Sequence, residues 1–226
     1  MTPEFSKLVD PVFQAVLGLV ARIESGEGVD LEAERTEIRT LIDEADKTVS
    51  DSAARVSREN FSIAKRGLIY WIDEVLTVAA PSWKAIILEW EYYSERERAW
   101  KFYVEGERTA RHASPDVAET WYLAMALGFK GDIDYAFKTA LKRPLPGGKT
   151  DPDEARRSWA NELARRIRDS QSPDLTPEPI HGDVAPRNGR NMFYVSLVLV
   201  IGLSMTAAGI YWYTHDQPEA TRSAQK

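Results

Sequence analysis

The sequence predicts an all-α fold: a cytoplasmic domain of about seven to eight helices followed by one C-terminal transmembrane helix. Two observations on the domain and one on the tail predict it. Apolar residues recur at helical spacing along most of the first 169 residues, and no run alternates as a strand would. Then Met192 to Tyr213, MFYVSLVLVIGLSMTAAGIYWY, runs for 22 residues without a charge. At about 1.5 Å per residue that run reaches about 33 Å as a helix, enough for a hydrocarbon core of about 30 Å.

The elements follow in order. Phe5, Leu8, Val9, Val12, Phe13, Val16, Leu17, Val20 and Ile23 share one face of a first helix, stopped by Gly26 and Gly28. Asp30 is placed to cap a second helix that carries Leu31, Ile38, Leu41, Ile42, Ala45 and Val49. A third is expected from about Ala54 to Ala79, ending before Pro81. Trp83 to Tyr93 and Glu97 to Thr109 read as two shorter helices. Ser114 followed by Pro115 opens another, which passes Trp121, Tyr122 and Met125 and stops at Gly128. Asp132 to Leu141 makes one more, and Asp151, Pro152 and Glu154 read as N-cap, first position and third position of a last helix. That last helix, ARRSWANELARRIRD over 155–169, sets Trp159, Leu163 and Ile167 on one face and bases on the other; two readings stay open, a simply solvated basic face or a surface that sits near anionic lipid head groups.

The expected organisation is therefore a helical domain over 1–169, a linker over 170–191 with Pro173, Pro177, Pro179 and Pro186, a span over 192–213 and a short tail over 214–226. Tyr194 at one end of the span and Tyr211, Trp212 and Tyr213 at the other suit the two interfacial belts. Arg187 and Arg190 precede the span, whereas His215, Asp216 and Glu219 follow it, so the basic bias places the N-terminal domain in the cytoplasm and the tail in the periplasm. Gly202, Thr206 and Gly209 share a face of the span, which suits self-association.

Composition narrows the chemistry. The net charge of −6 with no dense basic stripe argues against nucleic acid as a partner. Zero cysteines remove disulfides and thiolate ligands. His112, His181 and His215 fall in a loop, the linker and the tail, so a histidine-based metal or catalytic centre has no support, and no cofactor is expected. The stretch PGGKT over 146–150 ends like a phosphate-binding loop, but position 143 is Arg where that loop needs Gly. No residue is assigned to catalysis.

One segment stands out. LIYWIDEVLTVAA over 68–80 is apolar except for Asp73, Glu74 and Thr77. On a helical wheel centred on Ile72, the residues Leu68, Ile69, Val75, Leu76 and Ala79 lie within about 60° and form the core face. Asp73 and Glu74 fall at about 100° and about 200°, with Tyr70, Trp71, Thr77 and Val78 on their side. Two readings stay open: the acids are paired inside the fold, or they floor a docking groove offered to a partner.

The Ile-Asp-Glu of 72–74, Trp83 after it, the aromatic group WKFY over 100–103 and ETWYLAMALGFKGD over 119–132 resemble the TssL/DotU (IcmH) family of type VI and type IVB secretion systems. Gly128-Phe129-Lys130-Gly131 fits that family's Gly-Phe-x-Gly ending. Ala99-Trp100-Lys101 before Phe102, Ala118-Glu119-Thr120, and the basic stretch 142–152 depart from its pattern. The resemblance implies two small helical bundles in the cytoplasmic domain and a structural inner-membrane subunit without enzymatic activity. It further implies a TssM/IcmF-like membrane partner, baseplate proteins as cytoplasmic partners, and a partner-binding cleft at Asp73, Glu74, Tyr70, Trp71 and Trp83. The leading expectation is a type VI subunit that anchors baseplate components; a type IVB DotU-like stabilising subunit and a tail-anchored helical adaptor with unrelated partners are the alternatives.

Overall fold

Helices begin where the sequence supplies caps. In the computed structural model, which describes residues 1–51 and 55–171, α1 runs Pro3–Glu24 and α2 runs Leu31–Ser50. The carboxylate of Asp30 accepts from the amides of Glu32 and Ala33, so the expected cap is made. α3 runs Arg58–Ala79, a later start than the sequence suggests, because Ser57 caps it by accepting from the Asn60 amide. Asp151 likewise accepts from Glu154 N at 2.9 Å and starts α7, Pro152–Gln171. α7 therefore extends two residues past the expected domain limit at 169. Glu154 does not close a capping box but pairs with Lys149.

Between α3 and α7 the segments are shorter than expected. The helix expected over 83–93 is a 3-10 turn, Pro81–Ala85, and a separate α4, Leu88–Tyr93. The one expected over 97–109 is α5, Arg98–Glu105, continued by a π turn over Gly106–Ala110. α6 runs Pro115–Ala126, and the last expected helix of this stretch is a π turn over Tyr135–Ala140. Gly131 between them has φ +52, and a Cβ there would lie 2.3 Å from the carbonyl of Ala99. Only glycine permits that approach, which lets the Asp132 amide donate to Ala99 O at 2.6 Å. Among the described residues there are seven α-helices and no strand.

α3 lies at the centre, against α1, α2, α4, α5 and α6, and α6 packs in turn on α7. Its middle is buried on all sides, from Leu68 through Asp73. On α1 the apolar face drifts: Leu19 is fully buried, whereas Leu17 is 40% exposed, since a straight helix turns about 100° per residue and carries Leu17 off the stripe. The two bundles implied by the resemblance do not have separate cores. Buried side chains from α1 and α2 and from α5, α6 and α7 form one contiguous cluster through α3. Phe102 stacks on Phe129 at 3.9 Å and on Trp121 at 4.4 Å in the C-terminal part of it. The linker past 171, the uncharged run 192–213 and the tail lie outside the described residues, and no described helix is long and apolar enough to cross a membrane.

Candidate functional site

α4 has six residues and no side-chain cap of its own. Asp73 supplies one from α3. Its Oδ1 accepts from Leu88 N at 2.9 Å and its Oδ2 from Glu89 N at 2.6 Å, the first two amides of α4. Oδ1 also accepts from the Trp83 indole at 2.8 Å. The 3-10 turn after Pro81 makes this possible, because it folds Trp83 back onto α3. Asp73 is fully buried, and burial pushes its carboxyl above the usual carboxylate range while the three donors pull it down.

Glu89 extends the cluster. It is also fully buried, accepts from Glu97 N at 2.6 Å, and so ties α4 to the start of α5. Burial raises its carboxyl too. Arg98 lies between the acids: its Nη1 is 3.5 Å from Glu89, its Nε 3.3 Å from Glu74, and its Nη2 donates to Thr77 at 3.3 Å. Glu74 also accepts from Gly131 N at 3.4 Å. Two acids, Glu74 on α3 and Glu89 on α4, thus share the one guanidinium of Arg98 on α5, beside the amide-bound Asp73. Such a network fixes relative helix positions, since every partner lost leaves a charge or donor without water.

Of the five residues expected at a partner cleft, four have no exposed surface. Asp73, Tyr70, Trp71 and Trp83 are each 0% exposed. Trp71 packs on Phe13 at 4.8 Å and its indole donates to Leu127 O at 3.2 Å. The Tyr70 hydroxyl lies between Arg66 at 3.4 Å and Glu95 at 3.5 Å, and burial pushes it up to about 12. Glu74 alone reaches the surface, with its side chain 21% exposed beside Val78, which is 78% exposed one turn along. The wheel put the acids off the core face; α4 and α5 cover that side as well.

A third buried carboxylate, like Glu89, was not singled out in the sequence. Glu107, in the π turn, accepts from the Trp159 indole at 2.8 Å, from Arg111 at 2.9 Å and from Arg143 at 2.9 Å. Nothing local points to it, because its indole partner lies 52 residues away on α7. Among the described residues no group of His, Asp and Glu is arranged to hold a metal ion. PGGKT forms a 3-10 turn over Pro146–Gly148 leading into the α7 cap.

These features define a helical scaffold whose buried polar clusters hold helices in register. The family model for type VI secretion system protein DotU matches residues 7–215. The chain belongs to that family. No curated protein and no solved structure matches it.

Proposed function

We propose that the chain is a non-enzymatic docking subunit of a type VI secretion membrane complex, held in the inner membrane by residues 192–213. Its helical domain faces the cytoplasm and receives baseplate proteins, and its anchor joins a TssM/IcmF-like membrane partner. One observation carries the reading: the family match spans both the helical domain and the uncharged run, rather than the domain alone. The docking surface is the exposed strip of α3 formed by Glu74 and Val78, flanked by Arg98. Asp73 and Trp83 act beneath it, by fixing the α3–α4–α5 corner on which that strip is displayed, while Tyr70 packs on Tyr93 of α4 and Trp71 ties α3 to α1 and to the end of α6. An exposed valine beside a partly buried ion pair offers apolar contact with a charged edge, the make-up of a small interface core.

The test is affinity purification of the full chain from membranes in mild detergent. Recovery of a TssM/IcmF-like protein and of baseplate proteins is expected. Val78→Asp is expected to lose the baseplate proteins and keep the membrane partner. Recovery of neither from the unaltered chain sinks the proposal.

A further inference from the structure

Beyond Glu107, a cleft of about 270 Å³ opens between residues 107–112 and the last turns of α7. Its charges divide into committed and uncommitted groups. Glu107 is saturated by three donors, and Glu162 is held by Arg111. Uncommitted are Arg165, Arg166, His112 and Asp169, a subset in which two guanidiniums face one carboxylate, although the lining as a whole balances three arginines against three acids. Arg165 has no partner among the described residues. Arg166 donates from Nη2 to Ala113 O at 2.9 Å, but its Nη1 is buried with no acceptor there. Burial, and next the Arg111 charge, hold the Arg166 guanidinium below its usual value. An arginine placed so is costly unless an anion meets it.

The donor set selects the anion. A carboxylate offers two oxygens, which one guanidinium fork can satisfy. Here two guanidiniums and an imidazole line one cleft, and a tetrahedral oxyanion has the extra oxygens to receive them. The floor is apolar, formed by the buried Trp159 and Leu163, so water competes poorly for the buried donor. We propose that this cleft is a binding site for a phosphate group, gripped by Arg165 and Arg166 with His112 at the mouth. The phosphate is either free or the head group of an anionic phospholipid. The site stands on the described domain alone and does not rest on the secretion reading; only its lipid source does.

Calorimetric titration of the full chain in non-ionic detergent tests this, with inorganic phosphate, dihexanoyl phosphatidic acid, dihexanoyl phosphatidylcholine and acetate as probes. Saturable binding of phosphate or phosphatidic acid is expected, with acetate at least about tenfold weaker. Equal affinity for inorganic phosphate and phosphatidic acid assigns a free phosphate, whereas preference for phosphatidic acid over both inorganic phosphate and the choline lipid assigns a head group. Arg166→Gln should weaken binding by about tenfold or more, and the exposed Arg165→Gln should act in the same direction. Asp169→Asn, which removes the one uncommitted acid, should tighten binding, a gain that misfolding cannot imitate. No binding of either phosphate probe, acetate binding as tightly, or no gain in Asp169→Asn overturns the site.

Discussion

Asp73 and Glu107 are the same solution built twice with different parts. Each is a buried carboxylate accepting from a tryptophan indole at 2.8 Å, Trp83 in one case and Trp159 in the other. Their other donors differ. Asp73 receives two backbone amides, so its charge is met by neutral dipoles and the more distant Arg98. Glu107 receives two arginines, one of them more than half exposed. The first corner is sealed and sets where α4 begins; the second keeps an edge to solvent and opens into a cleft. Burial alone therefore does not decide what an acid is for. The identity of its donors decides whether it can be spared.

The largest expected effect is at the sealed corner. Asp73→Ala strands two amides and an indole away from water, at a cost of about 3–5 kcal/mol. Glu107→Ala should cost less, about 2–3 kcal/mol, because Arg143 can turn to water and Arg111 keeps Glu162. Urea unfolding of the two variants compares them directly. An equal or larger loss in Glu107→Ala breaks the contrast.

Next come two glycines that back tryptophans. A Cβ on Gly67 would lie 2.7 Å from the Trp121 ring, and one on Gly106 would lie 2.7 Å from the Trp159 ring. Both rings are buried and cannot retreat, so each Gly→Ala change should cost about 1–3 kcal/mol. Only Gly106→Ala pushes on the indole that Glu107 holds. It should therefore be non-additive with Glu107→Ala, whereas Gly67→Ala should add to Asp73→Ala within about 0.5 kcal/mol. Additivity in both pairs would show that Trp159 is not held by its carboxylate.

A smaller effect lies in pH. Glu89 has its carboxyl raised by burial, so its contribution is full below the unfolded carboxylate range and is lost as pH rises through the folded value. Relative to the unaltered chain, Glu89→Gln should gain stability over the window that opens as pH rises above the unfolded carboxylate range. Unfolding free energies measured across that window should diverge. Parallel curves would mean that Arg98 compensates Glu89 fully.

Much of the fold was legible because its signals are local. Asp30 and Asp151 mark helix starts through side chains two to three residues from the amides they cap. Long helices show their stripes, and α2 buries Ile38, Ile42, Ala45 and Val49 as the periodicity predicts. The break at Ile86 and Ile87 and the π turns were not legible, since packing against α3 and α7 rather than propensity decides them. The site was half legible. The wheel placed Asp73 off the core face of α3, but whether that flank meets solvent depends on α4, whose amides lie 15 and 16 residues on. Glu107 was invisible for the same reason at longer range.

The smallest expected change in stability carries the docking proposal. Val78 is 78% exposed, so Val78→Asp buries nothing new and should shift unfolding by no more than about 0.5 kcal/mol. Asp73→Ala, by contrast, should lower stability and recovery of baseplate proteins together, because it loosens the corner that presents Val78. If the α3 strip is the contact, Val78→Asp uncouples the two readouts and loses recovery alone. If Val78→Asp keeps full recovery while Asp73→Ala loses it, the contact lies elsewhere on the domain and Asp73 is only a helix cap.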